Sequence, residues 1–243
     1  MITRAQQNPV YTPGAPSAGF AAQILLLALL GAAAGLGPAG WLAGVFYGLG
    51  LVLLLGSAMR HAGRAAFGPA DHVTFARAIL AGGVTALVAD HLGTPGPLAV
   101  FVPLAAVALA LDAVDGKVAR RTGTTSAFGA RFDMEIDAFL ILVLSVHVAW
   151  TVGPWVLAIG AMRYLFAAAA WPAPWLRAEL PASIARKTVA AIQGIALLVA
   201  SVCPLPAAAA VAALALTALV WSFGRDIRWL ALNPAPARAG TRR

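Results

Sequence analysis

Residues 97–152 read PLAVFVPLAAVALALDAVDGKVARRTGTTSAFGARFDMEIDAFLILVLSVHVAWTV. An apolar run stops at Leu111, a charged connector follows, and a second apolar run occupies 136–152. With a few flanking residues each run reaches the roughly 20 residues that span a bilayer as a helix. The stretch therefore predicts two antiparallel membrane helices with their charged ends together.

The same pattern extends outward in both directions. Further apolar runs lie near 20–36, 40–57, 74–89, 154–171, 187–203 and 206–223. Gly37-Pro38, Gly153-Pro154 and Pro204-Leu205-Pro206 punctuate them. The expected fold is an all-α integral membrane protein with eight transmembrane helices. Composition agrees: 61% of residues are hydrophobic, 11% are charged, and the mean hydropathy is +0.84. A soluble domain carries about 25% charged residues. The single cysteine, Cys203, excludes a disulfide framework and reads as a small buried hydrophobe.

The formal net charge of +8 raises nucleic acid as a partner, but the placement of the charges argues against it. If the N-terminus is inside, 15 of the 17 Lys and Arg fall in inside segments, and the other two, Arg77 and Arg163, lie within apolar runs. The outside loops near 37–39, 90–96, 153 and 204–205 hold none. That asymmetry predicts that both termini are cytoplasmic, and the plasma membrane is the expected location. The basic loops then face anionic lipid headgroups. Residues 1–18 read as a flexible polar tail and 231–243 as a basic tail. The first apolar run follows a long polar lead and is at once followed by a second, which favours a retained helix over a signal peptide.

Five of the nine acidic residues fall between 112 and 137. Asp112 and Asp115 are three apart and Asp133 and Asp137 four apart, so each pair shares a helical face. Gly116, Gly123 and Gly129 between them suggest a turn. Four converging carboxylates repel one another unless counter-charge is supplied. Two divalent cations would supply it, and oxygen-only donors favour Mg²⁺, Mn²⁺ or Ca²⁺ over zinc. Paired metals of that kind clamp phosphoryl oxygens during displacement. Glu135 is turned away from both neighbours and is read as lying outside the site. His147, within an apolar run, reads as a core histidine.

The run Asp112-Ala-Val-Asp115-Gly116-Lys-Val-Ala119-Arg120, then eight residues, then Gly129, Asp133 and Asp137, resembles the signature of the CDP-alcohol phosphotransferase (phosphatidyltransferase) family, D-x-x-D-G-x-x-A-R-x8-G-x3-D-x3-D. All eight fixed positions match, and the resemblance to a six-helix catalytic core covers about residues 70–230. Two accessory helices at 19–58 would precede a core at 59–230.

The resemblance implies a metal-dependent transfer of a phosphoalcohol group from a CDP-linked lipid donor, CDP-diacylglycerol by family frequency, to a small hydroxyl acceptor in phospholipid biosynthesis. It implies two Mg²⁺ or Mn²⁺ ions held by Asp112, Asp115, Asp133 and Asp137, with Asp137 as general base. Gly116, Ala119 and Gly129 would make room for the nucleotide, and Arg120 would bind the diphosphate. Relatives are often homodimers, which the resemblance extends to this chain as an expectation.

Asp71-His-Val-Thr74-Phe-Ala-Arg77 looks like the family's N-x-x-T-x-x-R start to the first core helix, with Asp in place of Asn. Thr74 and Arg77 would then face the nucleotide; capping by Asp71 and snorkelling by Arg77 is the structural alternative. Arg163 sits inside an apolar run, where a bare charge costs about 2.5–3.5 kcal/mol on insertion scales, so it needs an anionic or carbonyl partner. Arg163, Arg186 and Lys187 are the candidates for an anionic acceptor, with Gln193 completing a basic-then-Gln pattern. The rival reading is a transporter or ion pathway built on clustered intramembrane carboxylates. Such proteins distribute their charges along a path across the membrane rather than beside one face.

Overall fold

A computed structural model of the protein describes residues 15–61, 69–122, 127–178, 180, 181 and 183–233. Within them, nothing is described of the side chains of 15, 16, 60, 61, 69, 70, 113–122, 127 and 128. The described residues form eight α-helices: α1 Ala15–Ala34, α2 Pro38–His61, α3 Pro69–Asp90, α4 Leu98–Thr122, α5 Ala127–Val152, α6 Leu157–Ala169, α7 Ile184–Ala200 and α8 Leu205–Leu232. Short 3-10 turns at Pro154–Val156 and Pro174–Arg177 flank α6. No strand occurs among the described residues.

Five of the helices are long and apolar enough to cross a membrane: α1, α2, α3, α5 and α8. The apolar part of α4, Leu98–Asp112, and the segment Pro154–Ala169 are shorter. Their lipid-facing character is visible on the surface: Leu53, Leu54, Phe46, Leu214 and Trp221 are all more than half exposed. Water would not tolerate such a surface, whereas hydrocarbon does. These are the helices of a multi-pass membrane protein.

Helix ends follow local chemistry. Gly35 adopts φ +69°, the left-handed conformation that terminates α1, and Pro38 opens α2 where a missing N–H costs nothing. Ser183 caps α7 by accepting from the Arg186 N–H at 3.3 Å.

Two helix ends lie beyond the apolar runs. Hydrophobicity falls away at Asp112, yet α4 continues to Thr122; it falls away near 223, yet α8 continues to Leu232. Hydropathy reports where the chain meets polar surroundings, whereas the helix persists while its residues favour it. Gly116 therefore sits inside α4 and Gly129 inside α5, and neither belongs to a turn. Residues 123–126 lie outside the described residues.

The chain divides into two compact units, residues up to Val143 and residues from Leu144 on. In the first, α3 is the central helix: 61% of its spanning window is buried, against 22% for α1 and for α2. Ala78, Ala81, Val84, Ala86 and Leu87 on α3 are buried, as are Leu27 and Leu30 on α1 and Phe101, Ala105 and Ala108 on α4, the helices packed against it. Small residues let the helices come close. A Cβ on Gly44 of α2 would stand 2.4 Å from Leu27 of α1. In the second unit, α7 packs on α8, and Gln193 fixes that pairing by donating to the Ala215 carbonyl at 3.2 Å.

A charged cluster on three helices

The stripe Asp71, Thr74 and Arg77 recurs every three residues along the first half of α3, and all three are buried, while His72 and Ala76 between them are exposed. The motif thus turns its polar members inward. Arg77 is the deepest, with 1% of its side chain exposed. A guanidinium so far from water must meet acceptors. It meets them on two other helices: Nη1 pairs with Oδ1 of Asp112 on α4, and Nη2 donates to Oδ1 of Asp133 on α5 at 2.5 Å and to the Asp133 carbonyl at 3.0 Å. One planar fork therefore ties α4 and α5 to α3.

The carboxylates are not sealed in. Asp112 is 41% exposed and Asp133 35%. Each keeps oxygen surface that an incoming ion could reach. Asp137 is half-buried one turn beyond Asp133, Gly129 is half-buried one turn before it, and Glu135 is exposed. Asp115, Gly116, Ala119 and Arg120 lie on α4, but their side chains are outside the described residues.

Among the described residues, no three His, Cys, Asp or Glu side chains are gathered closely enough to hold a metal. The structure brings Asp112 and Asp133 together on Arg77. Chemically the pair has the character a hard divalent ion prefers: it offers oxygen donors and is partly open.

The second unit holds a cluster of the opposite sign. Asp226 on α8 is 11% exposed in its side chain and lies 3.4 Å from Arg186 and 3.5 Å from Arg225. Arg186 also donates to the Pro181 carbonyl at 2.9 Å, and Arg225 to the Ser183 hydroxyl at 3.2 Å. Arg225 lies over the Trp221 ring at 5.0 Å. Pro181, Ser183, Arg186, Arg225 and Asp226 line a cavity of about 150 Å³ with Trp229. Lys187 is exposed and Arg163 is half-buried.

Asp226 had no expected role. A lone acid on an apolar helix identifies no partner forty residues away, and only its spacing of four from buried Ser222 hints that it faces inward.

An all-helical membrane fold with a buried arginine gripping aspartates from two neighbouring helices defines a class of intramembrane polar site. A family model for CDP-alcohol phosphatidyltransferases matches residues 68–221, more than half of the 243-residue chain, and the protein belongs to that family. No curated protein and no solved structure matches the chain. Membership gives the activity in general form: a CDP-alcohol donates its substituted phosphate to a hydroxyl, in a family that generally depends on divalent metals.

Proposed function

We propose that the protein transfers a phosphatidyl group from CDP-diacylglycerol to an acceptor hydroxyl at the cytoplasmic face of the plasma membrane, releasing CMP. The observation that carries this reading is the convergence of Asp112 and Asp133, both fixed positions of the family motif, on one buried guanidinium. Chain segments that are 21 residues apart in sequence meet there at the end of an apolar run.

In this reading Asp112, Asp115, Asp133 and Asp137 hold two Mg²⁺ or Mn²⁺ ions, which when bound neutralise the pyrophosphate and the leaving phosphate. Asp137 takes the proton from the acceptor hydroxyl. The freed oxygen forms a bond to the lipid-bearing phosphorus as the bond to the CMP oxygen breaks. Thr74, Gly116, Ala119, Arg120 and Gly129 bind the nucleotide and diphosphate. Arg77, assigned to the nucleotide by its motif, also holds the two acids in register. The acceptor is a small phosphorylated alcohol, whose negative charge suits Arg163, Arg186 and Lys187. The cytoplasmic orientation is supported by the basic residues gathered on one side of the expected topology.

The test is CMP release from CDP-diacylglycerol by the purified protein with Mg²⁺ and a panel of phosphorylated and neutral alcohols. The expected result is release that needs both the metal and an acceptor. No release with any acceptor, together with ion flux in liposomes, would favour the transport reading. Asp137→Asn is expected to keep donor and metal binding and to lose transfer; full turnover in that variant sinks the base assignment.

A further inference from the structure

The family match begins at residue 68 and leaves α1 and α2 unassigned. These helices are nonetheless joined to the parts of α3 and α5 that carry the charged cluster. Tyr47 on α2 donates its hydroxyl to the Ala78 carbonyl at 2.8 Å, and Ala78 is the residue after Arg77. The Tyr47 ring lies 5.2 Å from Phe139, two residues beyond Asp137 on α5. One side chain of the accessory hairpin thus touches two of the three helices that bring charge to the site.

The contact depends on missing bulk. A Cβ on Gly82 of α3 would stand 2.5 Å from the Tyr47 ring and 2.6 Å from the amide oxygen of Gln23 on α1. Both hairpin helices therefore press side chains into the space that Gly82 leaves. At the far end of α3, Asp90 accepts from the backbone N–H groups of Gly37 at 2.8 Å and Gly40 at 3.1 Å, at the start of α2. Fixed at two levels, α2 cannot slide along α3 without breaking one contact or the other.

We propose that the α1–α2 hairpin braces the catalytic core and that Tyr47 is a positioning residue. It sets the depth of the Arg77 rung and the approach of α5, and through them the spacing of Asp112, Asp133 and Asp137. The proposal rests on the reading of those acids as the reacting centre.

The test uses the full chain in nanodiscs, with three readouts: kcat and donor KM for CMP release, Mn²⁺ affinity by electron paramagnetic resonance, and melting temperature. Tyr47→Phe keeps the ring and loses one hydrogen bond. It is expected to lower kcat about five-fold at unchanged KM and melting temperature. Tyr47→Ala is expected to weaken Mn²⁺ binding about ten-fold as well, as loss of an outer contact to a metal site does. Asp90→Asn loosens the far end only, and is expected to lower the melting temperature while leaving kcat per folded molecule and Mn²⁺ affinity at wild-type values.

Wild-type kcat and Mn²⁺ affinity in both Tyr47 variants, or losses that merely track the folded fraction, overturn the brace. If the wild-type protein binds Mn²⁺ yet releases no CMP, the transferase reading falls and the Mn²⁺ arm still decides the brace. If it binds no Mn²⁺, both fall.

Discussion

In the N-terminal unit one buried arginine, Arg77, stands between two partly exposed aspartates; in the C-terminal unit one largely buried aspartate, Asp226, stands between two partly exposed arginines. Each cluster solves the same problem, an ionised group held away from water, with at least one opposite charge. They differ in the sign left over. Around Arg77 the two described aspartates outnumber the arginine and are partly accessible, which in the proposed reading suits a cation. Around Asp226 the two described arginines outnumber the aspartate, and a cavity adjoins them, which in the proposed reading suits an anion.

The comparison can be broken most sharply at the negative cluster. Asp133→Asn is expected to cut CMP release on the order of 10²–10³-fold, the usual cost of losing one preorganised charge contact in a reacting site. A variant with near-normal turnover would remove Asp133 from the chemistry.

Next in size is Arg77→Ala. It leaves two carboxylates facing each other without their shared partner, and a fully buried pair broken this way costs about 3–5 kcal/mol. Because both acids are more than a third exposed, a loss nearer 1–3 kcal/mol is expected, seen as a lower melting temperature without metal. Added Mg²⁺ should restore more stability to this variant than to the wild type, since the ion supplies the missing counter-charge. Equal metal stabilisation in both proteins would mean that arginine and ion do not share the acids.

The smallest expected effect lies at the positive cluster. Arg186→Gln should raise the KM for a phosphorylated acceptor about ten-fold, the worth of one charged hydrogen bond, with little change for a neutral alcohol. The same rise for both acceptors would reduce the Asp226 cluster to a structural pair.

Much of this was legible in the sequence, for identifiable reasons. Apolar runs became helices because a membrane leaves the backbone no other partner for its N–H and C=O groups. The three-residue spacing of Asp71, Thr74 and Arg77 announced a common face, and the structure buries all three. The eight-position motif pointed to the family, and the family match over residues 68–221 bears that out. Helix ends were not legible, because α4 and α8 outrun their apolar segments. Nor were the partners of Arg77 and Asp226, since ion pairs spanning 35 to 56 residues leave no trace in local spacing. Tyr47 was hidden for a different reason: a lone tyrosine in an apolar helix reads as ordinary packing, and only the three-dimensional path of its hydroxyl to Ala78 gives it a role.

The proposed chemistry depends on whether the carboxylates around Arg77 take up divalent ions. Titrating Mn²⁺ into the purified protein, with electron paramagnetic resonance counting the bound ion, addresses that directly. Saturable binding to the wild type that disappears in the Asp112→Asn, Asp133→Asn double variant is the predicted result. Undiminished binding in that double variant, or none in the wild type, would contradict it.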